Sequence, residues 1–319
     1  MEVSTVAIDY LASIRHLGKG SQTNYKQRLT VFADWCSLQG ITLEQTNHTT
    51  VHHFIEWLIT SHKPHKSGQE QLSSATTTGY VRVILSFLHW CLADEEYSQY
   101  VKLQTVKNIK LGRMDKLIVE VFTNEEIEAL FAAANANPMH QYKLRDTAIL
   151  AMLLDTGIRA SELCSLTIGN VSLARTVSED SYIKVMGKGR KQREIPLGDK
   201  ARRALNRYLR EYRKDAKKSD PVFLSRLHTP LTGHALALIL DRLKDVSTLP
   251  EDSQVNPHKF RHSFAARYMS NGGDVYDLAR LMGHSSVAIT EGYLKSLSAK
   301  VVRTRKNHLS VLDNMEKGK

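Results

Sequence analysis

The chain has 319 residues, enough for two domains, and its 44 Lys and Arg against 33 acidic residues give a formal net charge of +11. Its longest unbroken apolar run, AILAMLL at 148–154, is far too short to cross a bilayer. Three scattered cysteines favour reduced thiols over a disulfide framework, so we expect a cytoplasmic protein that does not contact the membrane.

The first third of the chain shows the periodicity of amphipathic helices. One helix is predicted from Ser21, as its N-cap, to Gly40, and further apolar stripes cover 51–59 and 80–91. Three or four such helices form a small bundle. The tryptophans of this region are assigned to its core: Trp35, Trp57 and Trp90.

Polar and aperiodic stretches divide the chain. Residues 61–79 are predicted to form a loop that runs into a helix start. Residues 103–121 lack a sustained helical period and carry a basic run, so the interdomain linker is placed in this region. The predicted division is a helical domain at 1–104, a linker at 105–121, a second domain at 122–295 and a tail at 296–319.

The second domain opens with a capping box, in which Thr123 is the N-cap and Glu126 the third helical residue. An apolar helix over 145–155 is expected to end at Thr156 and Gly157. The alternating runs YIKV and REIPL flank MGKGRKQ and predict a β-hairpin with a basic tip. The predicted class is therefore mainly α with a small antiparallel β-sheet.

Positive charge is concentrated around this hairpin. Residues 184–214 contain twelve Lys or Arg and three acidic residues. Such a field favours a polyanionic partner, nucleic acid before membrane. An ordinary basic face remains the alternative on charge alone.

Several side chains are spaced to meet a phosphate. TGIRASEL places Arg159 after a glycine turn at a helix start, with Glu162 one turn further on the same face. In NPHKFRHSFA, Asn256 and Pro257 are typical of a helix N-terminus, which puts His258 and Arg261 in its first turns. A helix N-terminus favours a bound anion.

A short helix follows in DVYDLARLMGHSS. It begins at Asp274 and ends at Gly283, which leaves His284 in the turn. Ser285 or Ser286 then caps a further helix that carries Tyr293. Its rivals as a reactive tyrosine are Tyr182, Tyr268 and Tyr276.

His258 and His262 are four residues apart, which is also the spacing of two zinc ligands on a helix, and His284 is a third candidate. The residue after His258 is Lys259, whose charge opposes metal binding, where a zinc helix of this type has a glutamate. We therefore predict no metal and no cofactor. His262 is expected to be a buried neighbour of the phosphate-facing pair.

The ordered motifs TGIR, GKGRKQREIPL, PHKFRHSFA, LMGHSS and TEGY resemble those of the tyrosine recombinases, also called the phage integrase family. The resemblance covers nearly the whole chain, since SQTNYKQRLTVFADWCSLQGI looks like the helical core-binding domain of that family. One departure is Phe260, where leucine is more usual, and it keeps the position apolar. The resemblance implies a two-domain DNA clamp that performs site-specific recombination through a 3′-phosphotyrosyl intermediate.

Roles follow from the resemblance and suit the chemistry. Tyr293 would be the nucleophile, and Arg159 and Arg261 would clamp the non-bridging phosphate oxygens. The remaining candidates are Lys188 as proton donor to the leaving oxygen, His258 and His284 for hydrogen bonds and proton transfer, and Glu162 to orient the site. An ordinary surface pair remains the alternative for Arg159 and Glu162.

The expected partner is double-stranded DNA. Candidate contacts to its backbone are Lys26, Arg28, Arg190, Lys191 and Arg193. By resemblance, the tail at 296–319 would dock on a neighbouring subunit and form a homo-tetramer on two DNA sites, with docking on its own domain as the alternative. Accessory DNA-bending proteins would be further partners.

Three functions compete, and the first is a site-specific recombinase. We favour a mobile-element integrase, with an Xer-like chromosome-dimer resolvase as the alternative that the sequence scarcely separates from it. A type IB topoisomerase-like enzyme shares the same catalytic residue types, but the long tail after Tyr293 favours recombination. A non-catalytic DNA-binding relative is disfavoured because all the expected catalytic positions are filled.

Overall fold

The structure is a computed structural model that describes residues 1–61, 72–110, 120–174, 180–187, 192–284, 286, 287 and 290. The chain divides into two compact units, Met1–Leu117 and Ile118–Lys319. Described helices dominate both units, and the described strands form one small antiparallel sheet. This confirms the predicted fold class.

The first unit is helical. Its helices are α1 (Val3–Ser13), α2 (Lys19–Leu38), α3 (His48–Thr60), α4 (Ser74–Ala93) and α5 (Leu103–Asn108). Helix α2 begins earlier than predicted, with Gly18 rather than Ser21 at its N-cap. Helix α5 was not predicted: its Val106 is 2% exposed and packs into the core of the first unit, so burial stabilises a helix too short to show a period.

Aromatic side chains fill the core of the first unit. Phe32 and Phe54 meet edge to face with their ring centroids 5.0 Å apart, and Trp35 packs against Phe54 at 5.4 Å. Trp35 is buried, while Trp57 and Trp90 are partly buried against the same core. The prediction that the tryptophans are core residues is confirmed.

The second unit contains seven described α-helices and the sheet. In chain order these are α6 (Asn124–Asn135), α7 (His140–Thr156), α8 (Ala160–Cys164), β1 (Val171–Ser172), β2 (Tyr182–Met186), β3 (Gln192–Pro196), α9 (Asp199–Tyr212), α10 (Gly233–Asp245), α11 (Pro257–Ser270) and α12 (Val275–Met282). The predicted hairpin is confirmed as the antiparallel pair β2–β3, in which Ile183 lies opposite Ile195. Strand β1 pairs with the other edge of β2 and was not predicted, since it has only two residues.

Helix α7 is the central helix of this unit and ends beside the polar residues described below. It begins five residues before the predicted apolar segment. The apolar pattern did not reveal this start because the first turn lies near the surface and is not apolar. Gly157 ends it in a left-handed conformation with φ 58°. A Cβ atom at Gly157 would lie 2.4 Å from the Phe264 ring, so glycine here allows both the turn and the close approach of α11.

Helix α11 is tied to the segment that enters the second unit. The Ser263 hydroxyl accepts a hydrogen bond from the Phe122 N–H at 2.8 Å, and Lys259 forms an ion pair with Glu126 at 3.2 Å. Phe260 is 1% exposed and packs against Phe122 with ring centroids 4.6 Å apart. The predicted capping box of Thr123 and Glu126 is present. These contacts fix the position of the N-terminal turns of α11.

In the part of the chain that the structure describes, no helix is both long and apolar enough to cross a membrane.

Candidate active site

The last carbonyl groups of α12 bring three arginines together. The Leu281 oxygen accepts a hydrogen bond from Arg193 Nε at 2.8 Å. The Met282 oxygen accepts one from Arg261 Nη2 at 2.7 Å, and the Gly283 oxygen accepts one from Arg159 Nη2 at 3.0 Å. These carbonyls lie at the negative end of the helix and have no partners within it, so they suit cationic donors.

Glycine at the end of α12 permits this arrangement. Gly283 has φ 63°, the left-handed conformation that commonly ends a helix. A Cβ atom there would lie 2.8 Å from Nη1 of Arg193, so any larger residue would displace that guanidinium. The prediction that Asp274 starts this helix and Gly283 ends it is confirmed.

The Glu162 carboxylate lies between two of the arginines. Its side chain is 5% exposed, and both of its oxygens accept hydrogen bonds from Arg193 at 2.9 Å. Oε1 also accepts from Arg159 Nη1 at 2.9 Å, and Oε2 from the Arg159 backbone N–H at 3.0 Å. Burial alone would raise the pKa of Glu162, but the hydrogen bonds and charge of Arg193 and Arg159 outweigh burial and lower it. The carboxylate is therefore ionised, and the pair is far from the exposed surface pair that the sequence left open.

A second chain of hydrogen bonds runs from Arg261 through His284 to Thr290. Arg261 Nη2 lies 2.9 Å from His284 Nε2, and His284 Nδ1 lies 2.8 Å from the Thr290 hydroxyl. A guanidinium can only donate, so Nε2 must accept and the imidazole proton must be on Nδ1. Burial and the charges of Arg261, Arg159 and Arg193 lower the pKa of His284 to about 4. His284 is therefore neutral near pH 7, in a single tautomer.

Helix α11 brings His258 and Arg261 to its first turns, as predicted, with Asn256 as N-cap and Pro257 following it. Arg261 is 5% exposed and also donates to the Gly157 oxygen at 2.6 Å. His258 is exposed on the helix surface. The structure thus joins Arg261 directly to the arginine cluster, whereas His258 is not among the residues that line the cleft.

His262 is partly buried, and burial together with the nearby His258 and Arg261 lowers its pKa. It is therefore neutral near pH 7. Within the described ranges, no group of three or more His, Cys, Asp or Glu side chains is arranged to hold a metal ion.

An open cleft of about 1010 Å³ exposes part of the cluster. Arg159, Arg193 and His284 line it, together with parts of β3 and α12. The Arg159 side chain is 36% exposed, against 13% for Arg193. Three guanidiniums stand against one carboxylate here, so the described cluster carries an excess of positive charge that suits an anion such as a phosphate.

Several predicted site residues lie outside the described residues: Lys188, Arg190, Lys191 and Tyr293. Of the rival tyrosines, Tyr268 lines the cleft, but burial and the nearby Asp277 and Asp274 raise its pKa, which opposes its use as a nucleophile. Tyr276 is 66% exposed on α12, and Tyr182 stacks with Lys184 in the sheet.

Arg193, a predicted contact to the DNA backbone, also has partners within the protein. All three nitrogens of its guanidinium donate to protein acceptors, two to Glu162 and one to the Leu281 oxygen. A side chain held in this way is part of the internal structure of the site. The sequence groups it with Arg190 and Lys191, because a run of cations does not reveal which of their side chains forms hydrogen bonds within the protein.

Thr290 was also missed. It is fully buried and accepts the hydrogen bond from His284 Nδ1. The available signal was its place in TEGY, three residues before Tyr293 and six after His284, but the identity of its partner depends on tertiary contacts.

In the first unit, Lys26 is exposed on α2. Arg28 is partly buried: it donates to Asn24 Oδ1 at 3.0 Å, and its guanidinium lies over the Tyr80 ring of α4 at 5.7 Å. Lys26 is therefore the more accessible of the two, and Arg28 packs toward α4.

Comparison with known protein sequences gives a match to a family model and similar relatives. Residues 120–300 match the model of the phage integrase family. Tyrosine recombinase XerC of Treponema denticola is 30% identical over 305 residues, covering 92% of this chain and 93% of that protein. Tyrosine recombinase XerD of Chlamydia pneumoniae is 37% identical over 223 residues, covering 68% and 69%.

Solved structures support the same fold. The XerH site-specific recombinase bound to a palindromic difH substrate, in a post-cleavage complex, has a TM-score of 0.73 at 21% identity, covering 98% of this chain and 85% of that one. The Tn1549 transposon integrase in complex with transposon right end DNA has a TM-score of 0.71 at 18% identity, covering 98% and 100%.

Proposed function

This chain belongs to the phage integrase family of tyrosine recombinases, and we propose that it cleaves and rejoins double-stranded DNA at a specific site through a 3′-phosphotyrosyl intermediate. The observation that carries this proposal is the arginine cluster at the end of α12. Three guanidiniums meet at the end of α12 beside an open cleft, and one buried carboxylate, Glu162, pairs with two of them. This arrangement suits an anion whose charge grows during reaction.

Arg159 and Arg261 are the proposed clamp for the scissile phosphate. Arg159 is held by Glu162 on one side and the Gly283 carbonyl on the other, which keeps its planar group oriented toward the cleft it lines. Arg261 lies behind it and is nearly buried. Two planar guanidiniums can each donate two parallel hydrogen bonds to phosphate oxygens, which a lysine cannot do.

His284 and His258 are proposed to complete the site. Nε2 of His284 accepts a hydrogen bond from Arg261 and therefore carries no proton. His284 is thus suited to take up a proton first and to donate it to the phosphate afterwards. His258, exposed on the first turn of α11, is free of the arginine cluster and suits a proton acceptor for the nucleophile.

The proposed reaction conserves the phosphodiester bond energy. The Tyr293 oxygen attacks the scissile phosphorus as its proton passes to a base, the bond to the 5′-oxygen breaks, and Lys188 protonates that oxygen. The 5′-hydroxyl of a partner strand then attacks the phosphotyrosyl bond in the reverse sense. Strands are exchanged with no net hydrolysis, and no nucleotide cofactor is required.

We also propose the domain roles and the assembly. Residues 1–104 would form the helical core-binding domain, 105–121 the linker and 122–295 the catalytic domain. The tail at 296–319 would dock on a neighbouring subunit in a homo-tetramer that holds two DNA sites. Exposed cations in both units, such as Lys26, would contact the DNA backbone.

Two biological roles are proposed for one chemistry. A mobile-element integrase is supported by the resemblance in fold to the Tn1549 transposon integrase. An Xer-like chromosome-dimer resolvase is supported by the relatives named XerC and XerD, the first of which matches over nearly its full length. Sequencing the junctions that form in cells distinguishes them, since the integrase joins mobile-element ends to new loci and the resolvase recombines one fixed chromosomal site.

The direct test is covalent trapping. The protein is incubated in EDTA with nicked duplexes that carry the sequences flanking its own gene, and detergent-resistant adducts are resolved by size. An adduct with wild type and none with Tyr293→Phe supports a tyrosine nucleophile that works without a metal. DNA binding without an adduct would overturn the proposed reaction, and an adduct that survives Tyr293→Phe would overturn the choice of tyrosine.

A further inference from the structure

Arg193 connects three elements of the second unit. It projects from β3, donates from both Nη atoms to Glu162 of α8, and donates from Nε to the Leu281 carbonyl at the end of α12. Its side chain is 13% exposed, and a Cβ atom added at Gly283 would lie only 2.8 Å from its Nη1. The residue is therefore held more tightly by the protein than an ordinary surface cation.

The hydrogen bonds of Glu162 are divided unequally between Arg193 and Arg159. Arg193 takes both carboxylate oxygens in a bidentate pair, whereas the Arg159 side chain bonds one of them through Nη1 alone. Arg193 therefore neutralises most of the buried negative charge. Arg159 keeps one hydrogen bond that orients it, while more than a third of its side chain faces the cleft.

We propose that Arg193 is a positioning residue for the phosphate clamp: it fixes Glu162 and the end of α12 so that Arg159 and Arg261 are presented to the scissile phosphate. The inference rests on the proposed function, since it takes phosphate as the ligand of those two arginines. It assigns Arg193 no direct contact with DNA.

Arginine is required because three separate acceptors are bonded by the three nitrogens of one guanidinium. Three nitrogens reach two carboxylate oxygens and a backbone carbonyl at 2.8–2.9 Å. The ammonium group of a lysine is a single point and cannot span this set. Arg193→Lys should therefore behave like Arg193→Gln, although it keeps the charge.

The first experiment compares DNA affinity with cleavage. Affinity of wild type, Arg193→Gln and Arg193→Lys for an intact duplex is measured at several salt concentrations, and adduct formation is measured with saturating DNA. We expect cleavage to fall by about 10- to 100-fold in both variants, as for loss of a residue that orients a functional group, while the slope of log affinity against log salt stays unchanged. A direct phosphate contact would instead lower that slope by about 0.9 and leave cleavage at saturation unchanged, which would overturn the proposal.

The second experiment separates positioning from a general loss of structure. Adduct formation is repeated with a methylphosphonate at the scissile position, which removes one negative oxygen from the phosphate. If Arg193 acts through the clamp, the ratio of wild-type to Arg193→Gln rates shrinks toward one on this substrate. A ratio equal to that on ordinary DNA would overturn the proposal.

Arg145→Gln is the matched control, because Arg145 is an arginine with little exposure that pairs with a carboxylate and does not line the cleft. A cleavage loss as large in folded Arg145→Gln as in Arg193→Gln would also overturn the proposal. Adduct formation by wild type tests the proposed function by itself. If wild type forms no adduct, the proposed recombination is wrong, whereas the role of Arg193 is judged from the ratio of variant to wild-type rates.

Discussion

The second unit contains two clusters of similar composition. The Glu162 cluster consists of Glu162 between Arg159 and Arg193, and the Asp146 cluster consists of Asp146 between Arg145 and Arg242. Both carboxylates are at most 5% exposed, and in each cluster one arginine side chain is at most 13% exposed and the other 36–38% exposed. Their hydrogen-bond patterns and their surroundings differ.

The Asp146 cluster lies between α7 and α10, beside an apolar cavity of about 430 Å³ lined by residues such as Met139, Tyr142 and Leu238. Its Arg145 stacks on Tyr142 at 4.7 Å and donates to the Leu224 carbonyl. These contacts satisfy the charges in place. An arginine–carboxylate–arginine arrangement is therefore not in itself a functional site.

The Glu162 cluster differs in its third arginine and in its cleft. The end of α12 adds Arg261, which is bonded to a neutral histidine, whereas the third arginine near Asp146 is Arg226, over the Tyr142 ring. The cleft beside Glu162 also has a more polar lining than the cavity beside Asp146. The difference on which the proposed function depends is thus the hydrogen-bonded set of Arg159, Arg261 and His284 at the end of α12, beside the more polar cleft.

The largest expected difference between the two clusters is the effect of an arginine-to-lysine change on the rate of cleavage. Arg159→Lys should lower the rate of adduct formation by about 100- to 1,000-fold, because a bidentate donor to the transition state is lost. Arg242→Lys should leave the rate per folded molecule within about twofold, since its partner is internal. The rates are compared at saturating DNA, and equal losses in both variants would remove the distinction between the clusters.

Neutralising the two carboxylates should affect different properties. Asp146→Asn leaves Arg145 buried without its counter-charge and should lower the free energy of unfolding of this unit by about 3–5 kcal/mol. Glu162→Gln should cost less stability, because Arg159 is partly exposed and Arg193 keeps the Leu281 carbonyl, but should slow cleavage by about 10- to 100-fold. Denaturant unfolding and single-turnover cleavage of both variants measure this, and the reverse pattern would contradict it.

A smaller effect is expected at Thr290, which has no counterpart in the Asp146 cluster. Thr290→Val removes the acceptor for His284 Nδ1 and should slow cleavage by about tenfold, while Thr290→Ser keeps the hydroxyl and should restore most of the rate. Nitrogen NMR of the imidazole checks the cause, since the proton should be on Nδ1 in wild type and in Thr290→Ser. A proton on Nε2 in wild type would contradict the assigned tautomer.

The smallest expected effect is on the pH dependence of the stability of the fold. The folded protein holds His284 neutral down to about pH 4, whereas the ordinary histidine pKa is 6.5. Between these values the unfolded chain binds more protons, so stability rises with pH across this window and falls as the solution is acidified. The melting temperature of wild type should decrease from pH 6.5 to 4, and His284→Gln should show a shallower decrease. An equal slope in the variant would show that other groups cause the loss.

Patterns with a local cause were readable from the sequence. The capping box at Thr123, the end of α12 at Gly283 and the N-terminus of α11 at Asn256 each depend on residues within one turn, and the structure confirms them. The short helix α5 and the two-residue strand β1 were not predicted, because their stability comes from packing against distant elements.

The candidate site divides in the same way. The sequence by itself determined which residue types are present and in what order: Arg159 after a glycine turn, Arg261 in the first turns of a helix, and two histidines and a tyrosine in family-like motifs. Only the tertiary structure decided that Arg193 turns inward to Glu162, that Thr290 holds His284, and that the arginines meet at three successive carbonyls. The physical reason is distance along the chain: Arg193 and Leu281 are 88 residues apart, so their hydrogen bond forms only when β3 packs against the end of α12.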